Sequence, residues 1–252
     1  SNNIFMPHYS QNKFIEICST NLKNKIPHFK DLNILEVGSL EMEAEFQSLR
    51  EMFQHNNYFG IDLYNGKGVD AVLNGSDLIQ LKKNFDIVLS CECFEHAKNW
   101  KDIFQSMYDV LNEDGIIIIT FAPTGRLEHG TLRTNPMESP GTHDDYYHNI
   151  SKKEFERSFD LKSMFSNYFV FYNKHSFDLY FIGIKNFGAL HDLDSIIKET
   201  KRIYKHAPEG QNKLNFKRLL YSHLLSDKRF QNFRFFRRAL SKNIKRLISK
   251  DA

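Results

Sequence analysis

Apolar runs and amphipathic stretches alternate along the first 190 residues of this chain. Five apolar runs predict β-strands at residues 34–37, 58–62, 69–73, 85–90 and 116–121. Helical patterns at residues 14–22, 43–53 and 100–111 surround them, and Asp114-Gly115 predicts a turn before the fifth strand. This alternation favours an α/β fold built on a doubly wound, mostly parallel, Rossmann-like sheet.

The pattern changes after the fifth strand. Residues 123–150 form a long polar loop, after which Ser151 is placed to cap a short helix through residue 159, supported by Glu154. Two aromatic runs at residues 168–172 and 178–185 then predict an antiparallel hairpin at the edge of the sheet. The complete prediction is a seven-stranded, mostly parallel sheet with a C-terminal antiparallel hairpin.

The end of the chain differs from the rest in charge. Residues 198–252 hold 16 Lys and Arg against 4 Asp and Glu, although the whole chain has a net charge of only +3. Helical patterns at residues 193–204, 212–225 and 228–248 cover this region, with an interruption near Pro208-Glu209-Gly210. We therefore expect a body at residues 1–190 and a basic helical C-terminal extension at residues 191–252.

The last predicted helix carries an apolar stripe surrounded by basic residues. The stripe consists of Phe233, Phe236, Leu240, Ile244 and Leu247. It fits docking on the body or on a second subunit, peripheral contact with an anionic membrane, or binding of phosphates, in that order of preference. Because no recognition motif accompanies the charge, nucleic acid is not an expected partner, and a homo-oligomer stays open.

Two general features of the sequence indicate the cellular compartment that we expect for the protein. No apolar run approaches the roughly 20 residues of a membrane span, and no signal-peptide pattern is present. The three cysteines make no disulfide framework and no zinc motif of recognisable spacing. We expect a soluble, cytoplasmic protein with structural cysteines.

Acidic residues end the first two strands. Glu36 and Gly38 close the first strand, and Asp62 closes the second, 24 residues after Gly38. A carboxylate at that position can accept both hydroxyls of a ribose that lies over the glycine turn. The loop has one glycine in place of the G-x-G-x-x-G of dinucleotide binding, so a nucleoside ligand without phosphates is favoured over NAD or ATP.

Residues 30–186 resemble the class I S-adenosylmethionine-dependent methyltransferases of the bacterial small-molecule branch. The resemblance rests on the Glu36 to Gly38 turn, Asp62, Asn74-Gly75-Ser76 and the strand-four segment FDIVLSCECFEHAKNW with its Glu95-His96 ending. It implies S-adenosylmethionine as cofactor, S-adenosylhomocysteine as product, and residues 1–190 as the methyltransferase domain. The cofactor-binding residues that it implies are Glu36, Gly38, Ser39, Asp62, Leu63, Asn74, Gly75, Cys91, Glu92 and His96.

The loop after strand five gathers groups suited to deprotonating a hydroxyl. Imidazole titrates near neutrality and a carboxylate can orient it, so His129 and His143 are the candidate bases, with Asp144 or Asp145 as the orienting group. The same four side chains could bind a divalent metal, but their spacing matches no metal motif, so base catalysis without a metal is preferred. Arg126 and Arg133 could bind a nucleotide diphosphate or be solvated.

The resemblance also indicates the kind of acceptor. Histidine followed by acidic and aromatic residues and a short helix resembles enzymes that methylate surface sugars, which implies O-methylation of a sugar or sugar nucleotide in capsule or surface-polysaccharide biosynthesis. The partner is then a small polar acceptor. Two alternatives stay open, a membrane-associated methyltransferase of lipids or quinones and a catalytically silent scaffold that binds the cofactor.

Overall fold

A seven-stranded sheet organises the protein. The computed structural model describes residues 9–41, 48–53, 57–140, 145–186, 192–206 and 216–248, with the backbone alone at 242–248. The strands are β1 (Ile34–Val37), β2 (Tyr58–Asp62), β3 (Ala71–Val72), β4 (Phe85–Cys91), β5 (Leu111–Phe121), β6 (Asn167–Asn173) and β7 (Asp178–Ile184). Their order across the sheet is β3-β2-β1-β4-β5-β7-β6.

The directions of the strands confirm the predicted fold class. β1 to β5 pair in parallel, whereas β7 is antiparallel both to β5 and to β6. Because β7 enters between β5 and β6, the aromatic hairpin extends the sheet beyond its parallel part. The order of β1 to β5 reverses between β1 and β4, which brings the loops after these two strands to one carboxyl edge.

Helices cover both faces of the sheet. They are α1 (Tyr9–Lys25), α2 (Leu49–Phe53), α3 (Trp100–Asp109), α4 (Lys152–Ser158), α5 (Leu161–Met164), α6 (Asp194–Ile203), α7 (Phe216–Leu224) and α8 (Asp227–Ile248). The predicted helix at 43–53 is described only at its end, in α2, since residues 42–47 lie outside the described residues. Ser151 caps α4 as predicted, its Oγ accepting the Glu154 N–H at 3.1 Å.

The isoleucine run of β5 shows why the central strands are apolar throughout. Ile116 and Ile118 lie in the core cluster that contains Phe14 of α1, whereas Ile117 and Ile119 lie in the cluster on the other face. A strand covered on both faces reads as a continuous apolar run because neither alternating set meets water. This layering holds the carboxyl edge in place.

The predicted turn at Asp114-Gly115 is wrong. Leu111 already pairs with Phe85, and the next pair joins Ile116 to Ile87, so residues 112–115 form an irregularity inside β5. Four residues of β5 thus stand opposite the single residue Asp86, and the pairing with β4 continues on both sides of them. β3 is also shorter than the predicted 69–73.

The C-terminal helices pack on the body in two places. Leu193, Ile196 and Tyr204 are buried beside α1, and the Tyr204 hydroxyl donates to the Ser10 carbonyl oxygen at 2.6 Å. Phe230 of α8 is 1% exposed. Docking on the body is therefore observed for part of the extension, while the division at residue 190 stays a prediction. None of the described helices has the length and apolar character needed to cross a membrane.

Candidate active site

Hydrogen bonds tie together the loops at the carboxyl edge of the parallel strands. The Leu40 N–H, after β1, donates to Asp62 Oδ2 at the end of β2 at 3.2 Å. The Ser90 hydroxyl of β4 donates to the Val37 carbonyl oxygen at 2.8 Å. These bonds hold the strand ends as one preformed surface, which is where ligands bind in open α/β sheets.

Glu36 is a buried carboxylate in the middle of this surface. Its Oε2 accepts the hydroxyl of Tyr58 at 2.6 Å. Burial raises the pKa of Glu36 to about 7, against the opposing effects of the Tyr58 hydrogen bond and the Arg50 charge. A carboxylate in this state stands ready to bind a cationic group, because a fixed positive charge would favour its ionised form.

The turn after β1 requires glycine. Gly38 has φ +82, and a Cβ there would lie 3.1 Å from Cys93 Cβ, so both the backbone conformation and the close approach exclude other residues. The N–H groups of Gly38 and Ser39 both donate to the Ile61 carbonyl oxygen, at 2.9 and 3.0 Å. The Ser39 Oγ is buried without a hydrogen-bond partner among the described residues. An orphaned hydroxyl here is a polar atom that a ligand could satisfy.

Asp62 ends β2 with its carboxylate fixed by the main chain. Besides Leu40, the Tyr64 N–H donates to its Oδ1 at 3.2 Å. Each oxygen therefore accepts one main-chain N–H and keeps acceptor capacity for a further donor. Leu63, the next residue, is half-buried beside it. The geometry fits the predicted binding of ribose hydroxyls, which stays a prediction.

Asn74 and Gly75 follow β3 and shape the next turn. Asn74 Oδ1 accepts the N–H and the hydroxyl of Ser76, at 3.1 and 3.0 Å, and so caps the short 3-10 helix that begins at Gly75. A Cβ at Gly75 would lie 2.8 Å from Val37 Cγ1, so this turn packs directly on the end of β1. The predicted contact of Asn74 with an adenine amine stays a prediction.

The end of β4 presents Cys91, Glu92 and Cys93. Glu92 has φ +54, a left-handed conformation that is strained for a residue with a Cβ and that turns its side chain off the strand. Burial raises the pKa of Cys93 to about 12, so its thiol stays protonated against the Gly38 turn. The structural role predicted for the cysteines stays a prediction.

The residues after this turn form a cluster with the loop after β5. Glu95 is fully buried, and its Oε1 lies 3.9 Å from His129 Nε2. The Nε2 atoms of His96 and His129 are 3.4 Å apart, and the rings meet edge to face. We call Glu95, His96 and His129 the edge cluster. Burial, followed by the charge of Glu92, raises the pKa of Glu95 well above its ordinary value.

Two neighbours hold the edge cluster in place. The Tyr147 ring contacts both imidazoles, with centroid separations of 5.4 Å from His96 and 5.2 Å from His129. Gly130 has φ +66, and a Cβ there would lie 2.8 Å from His96 Cε1. Glycine therefore allows the loop to bring His129 against the β4 turn.

The other predicted catalytic residues lie apart from this cluster or outside the described residues. Asp145 is exposed, and its Oδ1 accepts the Leu132 N–H at 2.6 Å. His143 and Asp144 lie outside the described residues. The carboxylate that the structure places beside His129 is that of Glu95, so the orienting role of Asp144 or Asp145 stays a prediction.

The two loop arginines are bound within the protein. Arg126 is largely buried, with Nη1 at 2.8 Å from Asp178 Oδ1 and Nη2 at 3.5 Å from Glu92 Oε2. Burial opposes its charge, but these carboxylates outweigh that effect and raise its pKa. Arg133 pairs with Glu128 and donates to Asn232 Oδ1 at 2.8 Å. Arg126 is thus neither solvated nor available for a diphosphate, contrary to both interpretations of the sequence.

Sequence reasoning missed the part of Glu95 in the edge cluster. The sequence places Glu95 and His96 at a strand end, but His129 lies 33 residues further along the chain. The sequence shows a Glu-His pair and, further along the chain, a loop rich in histidine. It does not show which histidine of the loop lies beside Glu95. Burial of the carboxylate, which distinguishes Glu95 from a surface acid, follows from packing alone.

The carboxyl edge fits the predicted cofactor in its donors and acceptors. Glu36 offers an anion for an ammonium group, Asp62 offers acceptors for hydroxyls, and the Ser39 Oγ lacks a partner among the described residues. The glycine turn lets a ligand approach the backbone closely. These features suit a nucleoside that bears an amino acid.

Comparison with known proteins identifies a family and solved structures of similar fold. A family model described as Methyltransferase domain matches residues 8–168. The fold is similar to that of the plantazolicin methyltransferase BpumL in complex with SAH, with 14% identity, 71% of this chain and 85% of that chain covered, and a TM-score of 0.50. A S-adenosylmethionine-dependent methyltransferase from Clostridium acetobutylicum ATCC 824 is 12% identical, with 69% and 91% covered and a TM-score of 0.47. No curated protein matches the chain.

Proposed function

The chain belongs to the methyltransferase domain family, and we propose that it transfers a methyl group to a hydroxyl of a small polar acceptor, a sugar or sugar nucleotide. S-adenosylmethionine is the cofactor and S-adenosylhomocysteine the product. The cofactor supplies an electrophilic methyl group on a sulfonium. What the chain must supply is a dry, aligned site and a way to make the acceptor oxygen nucleophilic.

One observation carries the choice of a hydroxyl acceptor. His129 Nδ1 lies 3.2 Å from the carbonyl oxygen of Leu127, which can only accept a hydrogen bond. The proton of a neutral ring therefore sits on Nδ1, and Nε2, 3.4 Å from His96 Nε2, is the acceptor nitrogen of the ring. That nitrogen, beside a buried carboxylate, is suited to receive the proton of a hydroxyl.

Three residues are proposed to hold the cofactor. The Glu36 carboxylate would pair with the methionine ammonium, the Asp62 carboxylate would accept the ribose hydroxyls, and the Ser39 hydroxyl would meet a polar atom near the turn. The Glu36 and Asp62 carboxylates keep acceptor capacity beyond the hydrogen bonds described above, and the buried Ser39 Oγ has no hydrogen-bond partner among the described residues.

The ion pairs of Arg126 and Arg133 restrict the chemical class of acceptor that we propose. Since Arg126 and Arg133 are engaged by carboxylates of the protein, neither offers the open guanidinium fork that binds a diphosphate. The sugar ring itself, with its hydroxyls, is then the part of the acceptor that the loop contacts. A free or glycosidic sugar is favoured over the nucleotide portion of a sugar nucleotide.

Calorimetry with S-adenosylhomocysteine tests the cofactor site. We expect one site per chain, and Asp62→Ala should weaken binding by about 10- to 100-fold, as expected for lost hydrogen bonds to a charged group. Asp102→Ala is the matched control, because Asp102 is exposed on α3. Unchanged affinity in Asp62→Ala would remove this residue from the site, and no binding to the wild type would refute the proposed function.

Turnover on a panel of monosaccharides and nucleotide sugars tests the acceptor. His129→Gln should lower kcat by about 100-fold or more while S-adenosylhomocysteine still binds, because a group that handles the proton acts only in the reaction. His148→Gln is the control, since His148 bonds Glu154 at 3.0 Å outside the edge cluster. Equal losses in both variants would contradict the assigned role of His129.

The exposed face of the C-terminal helices favours a second candidate, methylation of a lipid or quinone at a membrane. Leu224 is 70% exposed, Phe236 67% and Leu240 49%, and the exposed Arg237 and Arg238 directly follow Phe236 in the chain. Apolar and basic side chains together suit the interface of an anionic membrane. Flotation with phosphatidylglycerol vesicles would support this candidate if residues 228–252 are required, and an absence of flotation would exclude it.

A further inference from the structure

The spacing of the edge cluster matches that of ligands around one metal ion. One ligand atom from each of Glu95, His96 and His129 can be chosen so that all three lie within 4.8 Å of one another. The two Nε2 atoms are 3.4 Å apart. Two nitrogens bound at about 2.1 Å to a tetrahedral ion lie about 3.4 Å from each other, so the histidines already have the required separation.

Glu95 supplies an observation that is independent of this spacing. Its side chain is fully buried, yet neither carboxylate oxygen has a hydrogen-bond partner of acceptable geometry among the described residues. The main-chain N–H groups of Glu95 and Ala122 favour its charged form but do not complete such a bond. Buried carboxylates normally have partners, because a buried charge without one is strongly destabilising.

The charges around the cluster also call for a cation. Arg126 forms ion pairs with two acidic side chains of this region, those of Asp178 and Glu92. The Oε2 atom of Glu92 is buried and also lacks a hydrogen bond among the described residues. Glu95 is a further buried acid nearby, and a divalent ion would supply it with a cationic partner.

The loop orients His129 as metal-binding proteins orient their ligands. With its Nδ1 held by the Leu127 carbonyl oxygen, His129 directs an unprotonated Nε2 towards His96 and Glu95. An imidazole whose other nitrogen donates to a carbonyl is the usual arrangement in metal sites, since that bond fixes the tautomer and the ring. The Tyr147 ring packs on both histidines and limits their movement.

We propose that Glu95, His96 and His129 bind one divalent transition-metal ion at the acceptor side of the active site. Two imidazoles and one carboxylate favour ions such as Mn²⁺, Fe²⁺ or Zn²⁺ over Mg²⁺, which prefers oxygen ligands. Three protein ligands leave coordination positions open for an acceptor. The site differs from the metal set His129, His143, Asp144 and Asp145 considered from sequence, with which it shares only His129.

The chemical role of the ion rests on the proposed function. A divalent ion lowers the pKa of a hydroxyl that it contacts, which would then release its proton to water. The acceptor oxygen forms the bond to the methyl carbon, the C–S bond breaks, and its electron pair returns to sulfur, so that atoms and charge balance. With an ion bound, His129 Nε2 is a ligand and no longer the group that receives the proton.

Calorimetric titration with MnCl₂ and ZnCl₂ tests the site, using the full, tag-free chain after chelator treatment and dialysis. We expect one ion per chain, and MgCl₂ should not displace it. Glu95→Gln and His129→Gln should each weaken binding by roughly 100-fold, because each removes one of three ligands. His148→Gln, which alters a histidine and carboxylate pair outside the cluster, should bind like the wild type.

Cobalt absorption provides a second readout that does not depend on activity. Co²⁺ should give a visible ligand-field spectrum that is lost in Glu95→Gln, without the sulfur charge-transfer band expected if Cys91 or Cys93 were a ligand. Circular dichroism and S-adenosylhomocysteine binding establish that each variant is folded. Failure of Mn²⁺, Zn²⁺ and Co²⁺ to bind a chain that still binds S-adenosylhomocysteine overturns the metal site alone. Metal binding without S-adenosylhomocysteine binding would instead refute the proposed function.

Discussion

Replacing Glu36 with glutamine should stabilise the protein at alkaline pH. Glu36 lies in the candidate cofactor site, almost fully buried, with its carboxylate bonded to the Tyr58 hydroxyl. Burial raises its pKa from the ordinary value of 4.5 to about 7. Glutamine has the same shape, keeps a carbonyl that accepts the Tyr58 hydroxyl, and carries no charge at any pH. The variant therefore isolates the cost of ionising this group inside the fold.

The sign and size of the effect follow from the pKa of the two states. Since the folded pKa is raised, the stability contributed by Glu36 is fully present below the unfolded value near 4.5 and is lost as pH rises through about 7. The raised pKa of Glu36 lowers the unfolding free energy of the wild type by about 3 kcal/mol at pH 8. At pH 5 the same effect is about 1 kcal/mol. Glu36→Gln should therefore exceed the wild type in unfolding free energy by these amounts.

Urea denaturation at pH 5 and pH 8, followed by circular dichroism, measures this difference. Glu113→Gln is a suitable control, because the Glu113 side chain is 82% exposed and its replacement should change stability by less than about 0.5 kcal/mol at either pH. If the difference in unfolding free energy between Glu36→Gln and the wild type does not increase from pH 5 to pH 8, the raised pKa of Glu36 is refuted. So would a variant that is less stable than the wild type at pH 8.

The same substitution should weaken S-adenosylhomocysteine binding. If the carboxylate pairs with the methionine ammonium, its removal costs about 1.5–3 kcal/mol, or roughly 10- to 100-fold in affinity. A residue that destabilises the free protein and strengthens ligand binding is typical of functional sites. If Glu36→Gln is more stable than the wild type but binds S-adenosylhomocysteine equally well, Glu36 does not pair with the ammonium group of the ligand.

Two further substitutions test the framework of the site. Gly38→Ala should lower the unfolding free energy by about 1–3 kcal/mol, because φ is +82 and the new Cβ would lie 3.1 Å from Cys93 Cβ; a urea midpoint equal to that of the wild type would contradict the turn geometry. Arg126→Met should cost about 3–5 kcal/mol by leaving buried carboxylates without their cation. Arg133→Met, at a more exposed pair, should cost less than about 1 kcal/mol in the same assay, and equal costs would argue against the buried ion pair.

Those parts of the fold that depend on periodicity were predictable from sequence. The isoleucine run of β5 and the apolar run of β7 predict strands because these residues are buried on both faces of the sheet, whereas β6 is a half-buried edge strand predicted by its aromatic residues. Ser151 predicts the start of α4 because its hydroxyl oxygen accepts a main-chain N–H that has no acceptor within the helix. Asp114-Gly115 predicts a turn before the fifth strand. In the structure these residues lie inside β5, where its pairing with β4 is irregular.

The candidate site was predictable only where it follows the ends of strands. Asp62 lies at the carboxyl end of β2, and its position in the sheet is fixed by the order of the elements. Arg126 and Glu95 were not predictable in the same way. Asp178, the partner of Arg126, lies 52 residues further along the chain, and Glu95 is fully buried beside His129 of the loop after β5. Local sequence specifies residue chemistry, whereas tertiary packing decides whether a charge meets water or another side chain.

The C-terminal helices contribute to the site through the main chain of the loop. Gln231 of α8 donates to the Arg126 carbonyl oxygen at 2.8 Å, and its Oε1 accepts the Glu128 N–H at 3.0 Å. Asn149, at the far end of the loop, donates to the same carbonyl and to Asp227 at 2.8 Å each. Both ends of the segment that carries His129 are therefore fixed by α8. Hydrogen bonds with the first residues of α8 therefore hold the loop that completes the edge cluster.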